Sequence, residues 1–186
     1  MKSRRSEWWA VSGILLFLLI LIVIGWTVRE NFLPVEVGTA APNFTARTLD
    51  GEEVSLEELR GEVVLLNIWA TWCAPCRDEM PSMQELHEKL GPEGLRIVAV
   101  SIDAPPGVLD PGGRRGGDVE AFVDELGLEF GIWLDPNGSV QEVYRTTGVP
   151  ESFVIDRNGT IVKKVIGATL WDSDANIDLL QRLLEI

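Results

Sequence analysis

The two cysteines of this 186-residue chain lie three positions apart, immediately downstream of a continuous apolar run. That run, Val63–Trp69, is rich in β-branched and large aliphatic side chains, which favours a strand buried on both faces of a sheet. Cys73 and Cys76 then open a segment that predicts a helix as far as Leu90, with a kink at Pro81. A buried strand that turns directly into a helix constrains the chain to an α/β fold with the cysteines at the junction.

The remaining segments alternate between strand and helix patterns. Asp50-Gly51 is a hairpin turn signal and predicts an N-terminal β-hairpin extension, and Leu56–Arg60 adds a helical turn. Further strands are predicted at Phe44–Leu49, Glu53–Ser55, Leu95–Ile102, Ile132–Leu134, Ser152–Ile155 and Thr160–Ile166, and helices at Val119–Leu126, Ser139–Tyr144 and Asp174–Leu184. This order predicts a central mixed β-sheet flanked by helices.

One long segment, Ala104–Gly117, fits neither pattern because it is rich in proline and glycine. We expect an irregular and mobile surface loop there, and its composition suits a functional loop and a neutral insertion equally.

The N-terminal segment differs in composition from the rest of the chain. No charged residue lies between Trp8 and Val28, a length that spans a bilayer core of about 30 Å at about 1.5 Å per residue. Basic residues precede it, so the positive-inside rule predicts a cytoplasmic N-terminus at 1–7, an anchor at 8–28, a tether at 29–39 and an exported domain at 40–186. A cleaved signal peptide is the alternative for the same segment.

Charge and composition exclude several classes of partner. The formal net charge of −13 would repel a phosphate backbone, so nucleic-acid binding is not expected. A structural zinc ion needs more Cys and His ligands than Cys73, Cys76 and the single histidine, His87, provide. We therefore expect neither a metal nor a bound cofactor.

The spacing of the cysteines suits thiol–disulfide exchange. Cys73 at a helix N-terminus meets unpaired amides and the positive end of the helix dipole, which stabilise its thiolate. Cys76 lies one turn further on and is expected to be the more buried, resolving thiol. Pro75 suits a first helical turn, where an amide hydrogen would be unpaired in any case. A disulfide that closes so short a loop adds little stability, so a purely structural bridge is a poor explanation.

The segment Asn67-Ile68-Trp69-Ala70-Thr71-Trp72-Cys73-Ala74-Pro75-Cys76 resembles the active-site segment of the thioredoxin superfamily. Together with Cys76-Arg77-Asp78-Glu79 and Gly148–Asp156, it is similar to the membrane-anchored TlpA-like thiol–disulfide oxidoreductases, which include the reductases of cytochrome c maturation. The resemblance covers about Ala40 to Ile186. It implies a thioredoxin-like fold and a redox-active Cys73–Cys76 disulfide in place of a cofactor.

The same resemblance implies roles for residues around the cysteines. Val149 and Pro150 match a cis-proline loop that offers backbone hydrogen bonds to a substrate segment. Trp72 would form a partly exposed platform beside Cys73, and Trp69 would support the site from the core.

Glu79 matches an acidic residue that the family keeps near the pair, where it could accept the proton of Cys76. A solvated glutamate on the helix surface is the alternative. Asn67 replaces the buried, proton-transferring Asp of thioredoxin, and because Asn cannot ionise, that task would fall to Glu79 or water.

The resemblance also implies partners. The substrates would be disulfides of exported proteins, apocytochrome c among them, and the electron donor a membrane thiol-reductant transporter. Because no His stands between the cysteines, a reductant is favoured over a strong oxidant.

Two other classes remain open. A thiol peroxidase would need Pro and Thr upstream of Cys73, where this chain has Leu66 and Ala70. A redox-inert binding module would use the cis-proline loop without turnover.

Overall fold

The computed structural model describes residues 13–23, 35–110 and 112–185. The chain divides into two compact units, Met1–Pro34 and Val35–Ile186. In the first unit, residues 13–23 are helical. Among the described residues, no helix combines the length and apolar character needed to cross a membrane. The predicted anchor at 8–28 lies partly outside the described residues, and the predicted cytoplasmic segment 1–7 lies wholly outside them.

The second unit contains a seven-stranded mixed sheet with flanking helices. Its strands are β1 Thr45–Thr48, β2 Glu53–Ser55, β3 Val63–Trp69, β4 Leu95–Ser101, β5 Gly131–Leu134, β6 Glu151–Ile155 and β7 Ile161–Ile166. Its helices are α1 Ala74–Leu90, α2 Val119–Leu126, α3 Ser139–Tyr144 and α4 Asp174–Leu184, with short 3-10 turns at Leu56–Leu59 and Gly91–Glu93. The predicted thioredoxin-like α/β class is confirmed.

The strand order β2-β1-β5-β4-β3-β6-β7 places β3 among the inner strands of the sheet. β4 runs parallel to both of its neighbours, β3 and β5. The pairs β1–β5, β3–β6 and β6–β7 are antiparallel. Every residue of β3 is buried, which explains why its sequence is a continuous apolar run rather than an alternating one. α1 packs against β4, and α4 against β3.

The predicted element bounds agree closely with the structure. The β1–β2 hairpin forms around Asp50-Gly51, with Ala46 paired to Val54. α1 begins at Ala74 because Cys73 has extended backbone and acts as its N-cap. Pro81 lies within α1, as expected.

The segment Val35–Thr39, assigned to the tether from sequence, is in contact with β7. Val35 is 7% exposed, and its carbonyl accepts a hydrogen bond from Lys164. The backbone N–H of Gly38 donates to Ile161, whose own N–H donates to Thr39. Backbone pairing with β7 therefore begins upstream of residue 40.

Candidate active site at the cysteine pair

The cysteines lie where β3 turns into α1. Cys73 and Cys76 form a disulfide with their Cα atoms 5.3 Å apart. Cys73 is 5% exposed and Cys76 is fully buried, whereas Ala74 and Pro75 between them are exposed. The N–H of Cys76 lies 3.1 Å from the Cys73 sulfur. An amide aimed at that sulfur is the arrangement that stabilises negative charge at a helix N-terminus.

The turn that carries Cys73 is held by a buried aspartate. Asp103 accepts hydrogen bonds from the N–H of Thr71 at 2.7 Å and from its hydroxyl at 2.6 Å. The Ser101 hydroxyl and the Gly117 N–H also donate to Asp103. One side chain thus joins the end of β4, the cysteine turn and the end of the segment Ala104–Gly117. Asp103 belongs to no motif that predicts this role from the sequence.

The second loop of the site precedes β6. The Val149–Pro150 peptide bond is cis, as the sequence predicts. The register that pairs Ile68 with Glu151 brings Pro150 alongside the end of β3, close to the turn that leads to Cys73. Val149 is half-buried and Pro150 is buried.

Glu79 is buried in the first half of α1, at 1% exposure, and is therefore not a solvated surface glutamate. One carboxylate oxygen accepts a hydrogen bond from the Asn67 amide at 2.7 Å, and the other from the Thr169 N–H at 3.2 Å. Burial raises the pKa of Glu79 from 4.5 to about 7, against the opposing effect of these donors. Glu79 can therefore both hold and release a proton near neutral pH.

Asn67 connects Glu79 to β6. Its amide nitrogen donates to Glu79 and to the Ser152 hydroxyl at 2.9 Å, while its carbonyl oxygen has no hydrogen-bond partner within the described part of the chain. Asn67 cannot replace an ionisable group, as its residue type predicts, whereas its direct contact with Glu79 is visible only in the fold.

The two tryptophans before Cys73 differ in environment. Trp69 is fully buried and its ring lies 4.7 Å from that of Phe122. Trp72 is half-buried, and the guanidinium carbon of Arg114 lies 3.9 Å from its ring centroid. His87 on α1 is half-buried with its ring edge-on to Phe130.

A buried ion pair next to the cis-proline loop was also missed from sequence. Glu151 is 2% exposed and lies 3.3 Å from the Lys164 ammonium. Burial raises the pKa of Glu151, and Lys164 lowers it. Within residues 13–23, 35–110 and 112–185, no cluster of three or more His, Cys, Asp or Glu side chains could hold a metal ion.

The mixed sheet, the disulfide at a strand–helix junction and the facing cis-proline define a thioredoxin-like redox protein. The chain belongs to the AhpC/TSA family, whose sequence model matches residues 37–164.

Individual relatives narrow this assignment. The thiol-disulfide oxidoreductase ResA of Geobacillus thermodenitrificans is 37% identical over 168 residues, covering 88% of this chain and 90% of that protein. ResA of Oceanobacillus iheyensis is 36% identical over 177 residues, covering 92% of this chain and 87% of that protein.

Solved structures agree. A Chlorobium tepidum crystal structure assigned as thiol:disulfide interchange protein DsbE has a TM-score of 0.68 and 33% identity, covering 81% of this chain and 99% of that one. The thioredoxin domain of a Bacteroides vulgatus thiol-disulfide oxidoreductase has a TM-score of 0.65 and 26% identity, covering 80% and 98%. The chain is accordingly a thiol–disulfide oxidoreductase that works through a cysteine pair, which confirms the resemblance found in the sequence.

Proposed function

We propose that this enzyme works as a reductant of disulfides in exported proteins, with Cys73 as nucleophile and Cys76 as resolving thiol. The observation that carries the proposal is the asymmetry of the pair. Cys73 caps α1 and retains some exposure, whereas Cys76 is sealed inside. Only the Cys73 sulfur, which retains some exposure, can meet an incoming disulfide. The fully buried Cys76 sulfur is protected from forming mixed disulfides of its own.

Each turnover starts from the reduced dithiol. The Cys73 thiolate attacks one substrate sulfur, so that a mixed disulfide forms while the substrate S–S bond breaks and its other sulfur leaves as a thiolate that takes up a proton. The Cys76 thiolate then attacks the Cys73 sulfur and releases the second substrate thiol. The substrate disulfide is thereby reduced to a pair of thiols, and the enzyme is left with the Cys73–Cys76 disulfide found in the structure.

Glu79 is proposed as the group that accepts the proton of Cys76. It follows Cys76 by three residues on α1, a spacing that puts side chains on one helix face. A pKa of about 7 matches the operating range of a proton acceptor for a thiol. Asn67 is proposed to hold the Glu79 carboxylate in place, since its amide donates to Glu79.

The substrate segment is proposed to lie between Trp72 and the cis-proline loop. Val149 and Pro150 would provide the backbone contacts, and Trp72 an aromatic wall. Pro75 and Trp69 are proposed to shape the site without touching substrate. Support comes from the register of β3 and β6, which brings the two loops to the same edge of the sheet.

Localisation and partners are part of the same proposal. The uncharged segment 8–28 would anchor the chain, with 1–7 in the cytoplasm, 29–39 as a tether and 40–186 on the outer face. The electron donor would be a membrane thiol-reductant transporter, and apocytochrome c is one candidate substrate. These assignments rest on the sequence of the N-terminal segment and on the resemblance to TlpA-like reductases.

The reduction potential of the Cys73–Cys76 couple tests the direction of the reaction. The protein is equilibrated in graded thiol buffers, and the fluorescence of Trp69 and Trp72 reports the redox state. We expect a potential on the order of −250 mV, by analogy with thioredoxin at about −270 mV. A value near −120 mV, typical of a strong oxidant, would make this enzyme a disulfide donor instead.

Substrates can be identified by trapping. A Cys76→Ser variant cannot resolve the mixed disulfide, so it should accumulate covalent adducts with its partners through Cys73. The Cys73→Ser variant is the matched control and should trap none. Equal adduct formation by both variants would contradict the assignment of Cys73 as nucleophile.

The open alternatives are separated by simple assays. The positions where a peroxidase would need Pro and Thr hold the buried Leu66 and Ala70, so peroxide should be consumed no faster than by a free thiol. A redox-inert module would leave Cys73 of the reduced protein unreactive toward an alkylating agent at neutral pH, whereas the proposed reductant reacts rapidly.

A further inference from the structure

The described residues of the segment Ala104–Gly117 form a hydrogen-bonded loop, and the end of this loop adjoins the cysteine turn. Backbone hydrogen bonds join Gly107 to Gly116, Gly116 to Val108 and Asp110 to Arg114. The segment is irregular, as the sequence predicts, but it has a definite internal structure.

Its C-terminal end approaches the cysteine turn closely. A Cβ added to Gly117 would lie 2.1 Å from the Thr71 hydroxyl, and one added to Gly116 would lie 1.9 Å from the Ala104 carbonyl. Asp103 binds Thr71 and Gly117 at the same time. The segment is therefore held in a fixed position relative to Cys73, two residues after Thr71.

Arg114 is the residue that this arrangement brings to the site. Its guanidinium stacks on Trp72, the residue directly before Cys73, with 3.9 Å between the guanidinium carbon and the ring centroid. Its Nε donates to Asp110 at 3.0 Å, and its backbone N–H donates to the same carboxylate. The backbone hydrogen bond and the guanidinium together lower the pKa of Asp110. The ionised Asp110 fixes the plane of the guanidinium.

Beyond Nε, the Arg114 guanidinium has further N–H donors on its two terminal nitrogens. The Arg114 side chain is 52% exposed, and its terminal Nη atoms have no hydrogen-bond partner within the described part of the chain. A stacked, oriented guanidinium with free Nη donors is suited to bidentate binding of a carboxylate. Arg115 next to it differs, because its Nη1 donates to the Gly107 carbonyl, and among the described residues its guanidinium does not stack on a tryptophan ring.

We infer that Arg114 is a substrate-recognition residue that selects an Asp or Glu side chain flanking the substrate cysteine. This inference rests on the proposed reductase function, since it assumes that a polypeptide disulfide is delivered to Cys73. A substrate chain that reaches Cys73 past Trp72 meets a cation on a strongly acidic protein. A neighbouring carboxylate on that substrate gains a hydrogen-bonded ion pair, whereas a lysine is repelled.

The test compares disulfide-containing peptides that are identical except for Glu, Gln or Lys beside the cysteine. The ratio of kcat/KM for the Glu and Lys peptides is measured with the full chain in detergent. Any effect of Arg114 on the reactivity of Cys73 itself applies to every peptide, so it cancels in this ratio.

The wild-type protein should prefer the Glu peptide, and Arg114→Gln should reduce this preference by about two- to fivefold, the size expected for an exposed ion pair. Arg114→Glu should invert it, which loss of loop structure alone does not achieve. Arg115→Gln is the matched control and should keep the wild-type ratio. Added salt should weaken the preference.

Equal rates for the three peptides, or an unchanged ratio in Arg114→Glu, would overturn the inference while leaving the reductase function intact. Failure of the wild-type protein to reduce any of the peptides would instead count against the proposed function itself.

Discussion

Glu79 on the cysteine helix and Asn67 on β3 form a buried polar pair. Glu79 is enclosed by α1, β3 and the chain around Thr169, and Asn67 donates to it across 2.7 Å. A carboxyl group in such a site is more stable with its proton than without it, which is why its pKa rises to about 7. The pair therefore links protonation at the site to the stability of the protein.

The first prediction concerns stability against pH in the oxidised protein, where the cysteines do not titrate. Because the pKa of Glu79 is about 7 when folded and 4.5 ordinarily, the folded state holds its proton more tightly. The free energy of unfolding should therefore fall as pH rises from 4.5 through 7, by on the order of 2–3 kcal/mol. Glu79→Gln should remove the contribution of Glu79 to this loss, measured by urea unfolding at several pH values, while the contribution of Glu151, whose pKa burial also raises, remains. Glu85→Gln, an exposed change on the same helix, should retain the whole loss.

The second prediction concerns Asn67. In an Asn67→Asp variant, two carboxyl groups face each other across a buried hydrogen bond, and like charges cannot both ionise there at low cost. The pair should keep one proton to a higher pH than Glu79 does alone, as followed by NMR titration of the carboxyl carbons. Ser152→Ala, which leaves the Asn67–Glu79 bond in place, should not produce this rise.

At the scale of elements, Asp103 determines where the segment Ala104–Gly117 lies. It follows β4, accepts hydrogen bonds from the cysteine turn, and binds Gly117 just before α2. The segment Ala104–Gly117, the cysteine turn and β4 consequently all donate hydrogen bonds to one buried side chain. A change at Asp103 should therefore alter the loop more than it alters the rest of the fold.

The third prediction follows from this connection. Asp103→Ala leaves the buried Ser101 hydroxyl and the half-buried donors of Thr71 and Gly117 without this acceptor, so it should lower the free energy of unfolding by about 2–3 kcal/mol. It should also accelerate tryptic cleavage after Arg114 and Arg115, because the loop is released from Thr71. Asp135→Ala removes another buried aspartate, which accepts from Val140 at the start of α3. That variant should be destabilised without faster cleavage at the loop.

The elements that could be predicted from sequence are those whose cause is local. Val63–Trp69 was predicted with its observed bounds because burial on both faces leaves a continuous apolar run. The hairpin at Asp50-Gly51 and the cis bond at Pro150 were likewise predicted, from turn chemistry and from a matching motif. Of the sheet as a whole, only its mixed character was predicted; the order and pairing of distant strands are known from the structure alone.

What could not be predicted depends on contacts between distant segments. The burial of Glu79 requires Thr169, ninety positions later, and the folding of the loop requires Asp103 and Trp72. Val35–Thr39 follows Pro34 and contains Gly38, which fits a tether, and only its pairing with β7 reveals it as part of the folded unit. Local periodicity carries no information about such partners.

At the scale of the whole molecule, Val35–Thr39 pairs with the first residue of the edge strand β7. Besides the backbone bonds of Gly38 and Thr39 to Ile161, the Lys164 ammonium bonds to the Val35 carbonyl and lies 3.5 Å from the Glu36 carboxylate. These contacts join the start of the domain to β7, next to the buried Glu151.

The fourth prediction uses two shortened chains. A chain that begins at Val35 keeps these contacts and should match the full-length protein in its unfolding midpoint. A chain that begins at Ala41 loses the bonds to Ile161 and the burial of Val35, and should be less stable by about 2–4 kcal/mol. Equal stability of the two shortened chains in urea would contradict this role for Val35–Thr39.

The segment Val35–Thr39 also affects the tendency of the protein to self-associate. β7 is the last strand of the sheet, and the backbone groups on its outer side pair with no strand among the described residues. Such groups are a template for strands of other molecules. Gly38 and Thr39 occupy the first of these groups, and Lys163 and Lys164 bring charge to the middle of the strand. Ile166, at 73% exposure, lies at the other end. A chain that begins at Ala41 would leave the whole outer edge of β7 without these contacts. We therefore expect that chain to self-associate by strand addition, even if its own fold is retained.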